Sequence, residues 1–270
     1  MTRIAGRLAL VTGAASGIGR ALAVQLIAEG ARVLIADIDA AAVTATAAEI
    51  GAEGFAVDVS DREAVLRLAA ETRERFGPVG ILANNAGVAS LAPLAEMTEA
   101  DWRWLIEVNL FGVINSVAAF LPQLTGDGGH ILNTGSMAGL SPDAGLGGYS
   151  TSKFAITGFT EVLAEELRGT GVGVTLLAPG PVRTQLGTSS RNRPGGESGA
   201  LRDADLSAGD GGGVRWMDPA HVARVAVRAI ERDERYAITH PDWWPVVRDR
   251  HERIREAFER YPVWGEPSAD

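Results

Sequence analysis

The chain has 270 residues, of which 46% are hydrophobic and 22% charged, with a formal net charge of −9 and no cysteine. This composition excludes a largely disordered chain, disulfides and thiolate chemistry, and the acidic charge excludes nonspecific binding to nucleic acid. The N-terminus has no signal-peptide pattern and no stretch approaches the length of a membrane span, so we expect a soluble, cytoplasmic protein without a membrane partner.

Short apolar runs alternate with longer segments of helical period along the whole chain. Near-continuous apolar runs are typical of parallel strands buried on both faces. The predicted strands are 8–12, 32–37, 54–59, 81–87, 130–136 and 173–180. This alternation predicts an α/β fold, a single doubly wound Rossmann-type parallel sheet with helices on both faces, in one domain over 1–270.

Three helix starts are predicted from capping residues. Ser60 and Glu63 have the spacing of a capping box, Thr98 precedes a long apolar segment, and Asp218 stands directly before a proline. The side chains of serine, threonine and aspartate accept hydrogen bonds from the N–H groups that a first helical turn leaves unpaired, and proline has no N–H group to leave unpaired.

Two segments interrupt this regular pattern. The tract 188–213 is rich in Gly, Ser and Asp and is either a surface loop or a lid over a site, and its composition favours neither. The C-terminal extension, about 241–270, has a tryptophan pair followed by an amphipathic helix. It could close a pocket, pack on a neighbouring subunit or cap the sheet.

A glycine-rich turn, TGAASGIG, follows the first predicted strand and opens a helix. Its glycines allow a backbone to approach a pyrophosphate, and the helix N-terminus supplies unpaired N–H groups. Glycine also serves tight turns for steric reasons alone. However, Asp37 ends the next strand, where a carboxylate can bind ribose hydroxyls. This order of features predicts a dinucleotide site.

The charge of Asp37 favours NAD over NADP, because the 2′-phosphate of NADP would meet a carboxylate. The neighbouring Ser16 and Ile38 offer no cationic partner for that phosphate. Arg20 and Arg32 are close in sequence, so NADP stays open as the less favoured cofactor.

Lys153 is the only lysine among 25 basic residues, and it follows Tyr149 by one helical turn. The two side chains therefore share a helix face. A phenol titrates near 10 and needs a nearby positive charge to act as a base at neutral pH. A compact ammonium can stand near a phenol and also contact a ribose hydroxyl, which a planar guanidinium cannot do equally well. An ordinary surface lysine is the alternative, but this sequence uses arginine at its other basic positions.

These motifs resemble the short-chain dehydrogenase/reductase family over nearly the whole chain. The resemblance rests on the glycine turn at 12–19, NNAG at 84–87, Asn109 in EVNLFG, Ser136 in NTGSMAG, the Tyr149 and Lys153 pair, and PGPVRT at 179–184. It implies that Tyr149 exchanges a proton with the substrate oxygen and that Ser136 hydrogen-bonds this oxygen. Lys153 would hold the ribose and lower the pKa of the phenol, and Asn109 would anchor a water that links Lys153 to solvent.

The resemblance also implies a set of residues that contact the cofactor, with Asp58 near the adenine and Val182 and Thr184 near the nicotinamide amide. This predicted set is Gly13, Ser16, Gly17, Ile18, Gly19, Asp37, Ile38, Asp58, Val59, Asn85, Ala86, Gly87, Tyr149, Lys153, Pro179, Gly180, Val182 and Thr184. No metal site is predicted, because the histidines lack the spacing of metal ligands.

In this family the substrate loop follows the nicotinamide segment, which favours the lid interpretation for a loop over about 183–217. Candidate residues for an apolar pocket wall are Leu140, Leu146, Leu186, Trp216 and Met217. Tryptophan and methionine at such positions also serve as simple core packing.

The sequence thus predicts an NAD-dependent oxidoreductase that interconverts a secondary alcohol and a ketone, on a fairly hydrophobic cyclic, aromatic or steroid-like substrate. The alternative is a non-catalytic dinucleotide sensor or scaffold of the same fold, since a fold does not imply activity. The complete set of catalytic residues favours the enzyme. Family members commonly pair through long helices, here roughly 101–124 and 149–168, which implies a homodimer or homotetramer.

Overall fold

A computed structural model describes residues 1–89, 91–124, 128–194, 201–203 and 215–261. The predicted tract 188–213 lies partly outside these residues. The chain forms two compact units, Met1–Thr239 and His240–Asp270. The single domain over 1–270 stays a prediction.

In the described part of the first unit, seven strands form one sheet. They are β1 (Leu8–Thr12), β2 (Arg32–Asp37), β3 (Glu53–Ala56), β4 (Ile81–Asn84), β5 (Gly129–Thr134), β6 (Val172–Ala178) and β7 (Tyr236–Ile238). The α-helices are α1 (Gly17–Ala28), α2 (Ala40–Ile50), α3 (Arg62–Phe76), α4 (Glu99–Ile106), α5 (Gly112–Leu124), α6 (Gly147–Glu166) and α7 (Pro219–Arg232). A π-helical turn, Glu107–Phe111, joins α4 to α5.

The strand order is β3-β2-β1-β4-β5-β6-β7, and every neighbouring pair is parallel. One hydrophobic core joins the sheet to α1, α2 and α7, and a second joins it to α3, α5 and α6. The predicted doubly wound sheet is therefore confirmed. The strand order of this sheet reverses direction between β1 and β4. In such sheets ligands bind outside the carboxyl ends of the strands at the point of reversal.

The predicted strands were wrong in two respects. The short edge strand β7 was missed because only Ala237 of its three residues is buried, which leaves a weak apolar signal. Four predicted strands also run too far, since β3 to β6 end at Ala56, Asn84, Thr134 and Ala178. Beyond these residues the chain leaves the sheet for the loops at its carboxyl edge, although the sequence stays apolar or β-like.

Two of the three predicted helix starts are confirmed. Thr98 caps α4 in a reciprocal capping box with Asp101, and Asp218 accepts a hydrogen bond from the N–H of Ala220 at 2.7 Å. The start at Ser60 is wrong. The Asp58 carboxylate accepts both the N–H and the hydroxyl of Ser60, at 2.9 and 2.7 Å, so Asp61 caps α3 instead.

One helical stretch of the described chain, Glu99–Leu124, is long and apolar enough to cross a membrane by length and composition, with a mean hydropathy of 1.6. The expectation that no stretch approaches this length is therefore wrong. Half of its most apolar window is buried inside the fold. Core helices meet the same criterion, so the stretch is weak evidence for a membrane span.

The second unit begins with a short 3₁₀ turn, Pro241–Trp243, and continues as α8 (Trp244–Arg260). The predicted C-terminal helix is thus present. Its exposed apolar side chains include Trp244, Ile254 and Phe258.

A buried histidine lies in β5, in the first unit. The Nε2 atom of His130 is 2.8 Å from the Thr175 hydroxyl, and its Nδ1 atom is 3.1 Å from the Thr2 hydroxyl. Burial lowers the pKa of His130 from 6.5 to about 4, against the smaller opposing attraction of Asp233. The fold therefore holds this imidazole in its neutral form.

We expect His130 to make the fold sensitive to acid. Between about pH 6.5 and 4 the unfolded chain binds a proton that the folded chain does not, so stability falls as the pH falls, by up to about 1.4 kcal/mol per pH unit. Urea unfolding at pH 7, 6 and 5 should show this loss in the wild type and a smaller one in His130→Gln. The exposed-histidine control His221→Gln should keep the wild-type slope. Equal slopes in all three proteins would contradict the assignment.

Candidate active site

The predicted site residues follow the carboxyl ends of neighbouring strands. The glycine turn follows β1, Asp37 ends β2, Asn85 follows β4, Ser136 follows β5 and Pro179 follows β6. Because carboxyl ends of parallel strands share one edge of the sheet, the topology places these residues on the same edge.

The glycine turn is tightly packed against the loop after β4. Gly13 has φ +63°, and a Cβ there would lie 2.6 Å from the Cα of Ala86. A Cβ on Gly19 would overlap the carbonyl oxygen of Gly13. The Thr12 hydroxyl accepts the N–H groups of Asn85 and Ala86 at 3.0 and 3.1 Å, so it fastens the two loops together. This role of Thr12 was not predicted, although the residue opens the motif.

The start of α1 suits an anionic group. Its N-cap residue, Ser16, makes no side-chain hydrogen bond to the first turn, which leaves those N–H groups and the helix dipole for a pyrophosphate. Gly17 has φ +55°, and a Cβ there would approach Thr184 to 3.2 Å. Thr184, which was predicted from the PGPVRT motif far along the sequence, thus lies beside the start of α1. The predicted residue Ile18 follows Gly17 in the first turn of this helix.

Asp37 lies against the glycine turn. One oxygen of its carboxylate accepts the N–H of Ala15 at 3.0 Å, and the other accepts the N–H of Asp39 at 3.2 Å. Ile38 follows it with an exposed side chain. Arg20 forms an ion pair with Glu49, and a guanidinium nitrogen of Arg32 lies 3.5 Å from the carbonyl oxygen of Phe76.

Two further predicted cofactor residues, Asp58 and Val59, lie in the loop after β3. The Asp58 carboxylate is bonded to Ser60 as described above, and the Val59 carbonyl accepts the side-chain amide of Asn115 at 3.1 Å. A Cβ on Gly112 would meet the Val59 side chain. The loop is therefore held against the beginning of α5.

Tyr149 and Lys153 lie one turn apart on α6 and are both buried. The Nζ atom of Lys153 is 5.7 Å from the centre of the Tyr149 ring and donates to the Thr134 carbonyl at 2.8 Å. The Ser136 side chain is close enough to the Tyr149 phenol to lower its pKa, and its hydroxyl donates to the Pro179 carbonyl at 3.4 Å. It also accepts the N–H of Ala138 at 3.1 Å, which orients its hydroxyl. Ser136, which follows β5, thus lies beside Tyr149 and Lys153 of α6.

Burial shifts the pKa values of both members of this pair. Burial raises the pKa of the Tyr149 phenol, and the hydrogen bond from Ser136 lowers it by less. Burial also lowers the pKa of Lys153 from 10.5 to about 8. The net shift of the phenol is upward in the protein alone, because loss of solvent outweighs the hydrogen bond from Ser136. That Lys153, together with a bound cofactor, lowers the pKa of the phenol stays a prediction.

Asn109 lies in the π-helical turn and is buried. Its amide oxygen accepts the N–H of Val88 at 2.8 Å, while its amide nitrogen donates to the Val88 carbonyl and to the Ser152 hydroxyl, both at 2.9 Å. The Ser152 hydroxyl donates in turn to the Tyr149 carbonyl at 2.7 Å. The side chain of Asn109 is thus occupied by protein contacts, and its role as a water anchor stays a prediction. Ser152 was missed, although it directly precedes Lys153.

The segment after β6 borders the same site. The Pro179 carbonyl accepts the N–H of Met137 at 2.8 Å, and the Gly180 N–H donates to the Thr239 hydroxyl at 3.3 Å. Val182 pairs with Met217 in an isolated parallel bridge. A Cβ on Gly87, from the loop after β4, would lie 3.2 Å from Asn109 and 3.5 Å from the Nζ atom of Lys153.

The five candidate substrate residues separate into groups. Leu146 and Leu186 pack with Tyr149 in a small apolar cluster that includes Ala89 and Ala138. In contrast, Leu140 packs against one face of the sheet and Met217 is buried in the core on the other face. Trp216 is partly buried, and its Nε1 atom has no hydrogen-bond partner within the described chain.

Among the described residues there is no group of three or more His, Asp or Glu side chains that could hold a metal ion. The site contains instead a glycine turn at a helix start, a carboxylate at the next strand end and a buried phenol–ammonium pair. These features fit a dinucleotide that extends along the carboxyl edge from Asp37 to Lys153.

Comparison with known proteins agrees with this geometry. A family model described as short chain dehydrogenase matches residues 7–195. A solved short chain dehydrogenase/reductase from Burkholderia phymatum, in complex with NAD, is 34% identical with a TM-score of 0.87, and the match covers 100% of both chains. The 1-deoxy-11-beta-hydroxypentalenate dehydrogenase of Streptomyces exfoliatus is 34% identical over an alignment of 278 positions, which covers 97% of this chain and 96% of that protein.

The probable oxidoreductase EphD of Mycobacterium tuberculosis strain H37Rv is 37% identical over 233 residues, which cover 83% of this chain and 39% of that protein. The chain thus spans well under half the length of this relative. The family match extends over most of the chain and includes the glycine turn, Asn109, Ser136, Tyr149 and Lys153. The chain belongs to the short-chain dehydrogenase family of oxidoreductases, which bind nicotinamide dinucleotides.

Proposed function

We propose that the protein is an NAD-dependent oxidoreductase that interconverts a secondary alcohol and a ketone. The observation that carries this proposal is the meeting of the Ser136 hydroxyl, the Tyr149 phenol and the Lys153 ammonium in one buried place. A dinucleotide sensor would need the glycine turn and Asp37 but would have no use for this set.

The cofactor, when bound, supplies the hydride acceptor for oxidation and the hydride donor for reduction. In the oxidation direction Tyr149 accepts the hydroxyl proton of the alcohol, and in the reduction direction it returns a proton to the ketone oxygen. Ser136 donates a hydrogen bond to the same oxygen and so stabilises the charge that develops there.

Lys153 contributes a positive charge next to the phenol and a donor for a ribose hydroxyl. Its bond to the Thr134 carbonyl fixes the direction of the side chain. Because burial raises the pKa of the phenol in the protein alone, we expect the charge of the oxidised nicotinamide to be needed, together with Lys153, to make the phenol a base.

The surroundings of Asp37 support NAD over NADP. A 2′-phosphate would lie near this carboxylate, while the two arginines close in sequence are directed elsewhere, to Glu49 and the Phe76 carbonyl. The Burkholderia protein that matches over the whole chain is itself in complex with NAD.

The apolar cluster around Tyr149 supports a fairly hydrophobic, cyclic, aromatic or steroid-like substrate. Leu146, Leu186, Ala89 and Ala138 pack with Tyr149 and give this side of the phenol an apolar surface. The Streptomyces relative, which matches over nearly its whole length, is named for a hydroxypentalenate.

A homodimer or homotetramer and a cytoplasmic location also remain part of the proposal. Of the two long helices expected to pair, the first exposes Phe111 and the second exposes Val162. Apolar side chains on these faces are suited to contact with a second copy of the chain.

The direct test is the absorbance of reduced nicotinamide over time, with NAD or NADP and a panel of cyclic, benzylic and steroidal secondary alcohols. Sorbitol serves as the polar comparison. The proposal expects turnover with NAD on apolar alcohols. Binding of NADH with no turnover of any alcohol or of the matching ketones would favour the sensor.

Replacing Tyr149 by phenylalanine should remove the proton acceptor and keep the shape of the site. We expect turnover to fall by about 10²–10⁴-fold while NADH affinity is retained. The matched control is Tyr236→Phe, because the hydroxyl of Tyr236 bonds to Glu161 on the protein surface. Equal rates in the two variants would show that Tyr149 does not transfer the proton.

Replacing Asp37 by serine should remove the repulsion of a 2′-phosphate. We expect the ratio of kcat/KM for NAD to that for NADP to fall by about tenfold or more. Asp39→Ser is the control, because Asp39 caps α2 and serine is also a good cap. An unchanged ratio in Asp37→Ser would contradict the argument from charge.

Replacing Gly19 by alanine should displace the glycine turn, because the new Cβ would overlap the Gly13 carbonyl. We expect NADH to bind about tenfold or more weakly in a fluorescence titration. Gly158→Ala is the control, since a Cβ on Gly158, within α6, meets nothing within 4 Å. If both variants bound NADH like the wild type, the turn would not be the site of the pyrophosphate.

A further inference from the structure

A buried ion pair joins two parts of the chain that lie far apart in sequence. A guanidinium nitrogen of Arg193 is 2.5 Å from the Oδ1 atom of Asp101, and the two side chains are 4% and 0% exposed. The same guanidinium lies 5.9 Å from the centre of the Trp104 ring. Burying two charges costs free energy that this pairing must offset, so a buried pair is better evidence for a fixed position than for stability.

Asp101 is suited to hold this position because α4 already fixes its carboxylate. Its Oδ2 atom accepts the N–H and the hydroxyl of Thr98, at 2.7 and 2.8 Å, in the capping box of α4. The Oδ1 atom faces Arg193 instead. One carboxylate therefore caps a helix and holds a residue that follows the 3₁₀ segment Gln185–Asn192, which consists of two short turns joined by a kink at Thr188.

Additional contacts attach the residues before and after Arg193 to the part of the fold around α4. The Ser189 hydroxyl accepts the N–H of Ala89 at 3.3 Å. Leu201 packs against a small apolar cluster around Trp104, and the backbone of Arg202 pairs with that of Leu91. The described residues 185–194 and 201–203 are thus attached to α4 and to the chain that follows β4.

The attached segment also contacts Tyr149, whose phenol would exchange the proton with the substrate. Thr184 caps the 3₁₀ segment by accepting the N–H of Leu186 at 3.3 Å, and the Ser189 hydroxyl donates to the Leu186 carbonyl. The side chain of Leu186 packs in the cluster of Tyr149. A shift of the segment away from α4 would move this part of the pocket wall.

We propose that Arg193 is a positioning residue for the substrate pocket. Its ion pair with Asp101 holds the 3₁₀ segment in place and so keeps Leu186 against Tyr149. This inference rests on the proposed function, because the pocket wall matters only if a substrate is oxidised or reduced at Tyr149. Arg193 itself does not touch the reacting atoms.

The test compares Asp101→Asn and Arg193→Met with the wild type. Asparagine retains an oxygen that can cap α4 but removes the charge. We expect the KM for the alcohol to rise by about tenfold in each variant, with smaller changes in kcat and in NADH affinity. The double variant should be no worse than either single one, because both remove the same interaction. Arg193→Lys, which keeps the charge, should recover part of the loss.

The matched control is Arg103→Met, which removes an exposed ion pair with Glu99 from the same helix. It should leave the KM unchanged. A rise in KM equal to that of Asp101→Asn, or no rise in either buried-pair variant, would overturn the proposal.

A second measurement does not depend on turnover. Trypsin can cut after the exposed Arg191 but not after Arg193, because Pro194 follows it. We expect cleavage after Arg191 to be about tenfold faster in Asp101→Asn and in Arg193→Met, at temperatures where circular dichroism shows both to be folded. Cleavage at the wild-type rate would show that the pair does not hold the segment. If the wild type turned over no substrate but both variants were cleaved faster than the wild type, the proposed function would be refuted. The role of the ion pair in holding the 3₁₀ segment would still be supported.

Discussion

The arrangement of the site depends on one constraint, which is that the buried ammonium of Lys153 must have a hydrogen-bond acceptor. An ammonium taken out of water needs hydrogen-bond acceptors in fixed places. The end of β5 supplies one in the Thr134 carbonyl, at 2.8 Å. For this to happen α6 must lie very close to the turn after β5, and a Cβ on Gly139 would come within 2.6 Å of the Lys153 carbonyl oxygen. The glycine in this turn is thus a condition for placing Lys153 and, one helical turn earlier, Tyr149.

Polar contacts at the same edge of the sheet join the glycine turn to α6. Thr12 fastens the glycine turn to Asn85 and Ala86. A few residues later, Val88 is held by Asn109, which also reaches Ser152 on α6. The π-helical turn that carries Asn109 departs from regular α-helical geometry at this place, as such turns often do at functional sites. A short set of contacts therefore relates the position of the glycine turn to that of α6, which carries the phenol.

The sequence was sufficient for features that depend on local residue order. The parallel sheet apart from its edge strand β7, the glycine turn, Asp37 and the Tyr149 and Lys153 pair all follow from periodicity, strand ends and the spacing of one helical turn. Contacts between distant segments could not be read in this way. The Thr134 carbonyl is a backbone atom with no sequence signal, and the Arg193 and Asp101 pair lies between residues that look like ordinary surface charges. The direction of the pKa shift of Tyr149 was also beyond the sequence, because it depends on how deeply the phenol is buried.

The most direct test of the account is the titration of Tyr149 itself. With only three tyrosines in the chain, ¹³C-labelled tyrosine and Tyr149→Phe would allow its resonance to be assigned and followed against pH. We expect the phenol to titrate above its ordinary pKa in the protein alone, because burial disfavours the phenolate, and to titrate at lower pH once NAD is bound. A titration of Tyr149 that NAD leaves unchanged would contradict its role as the base.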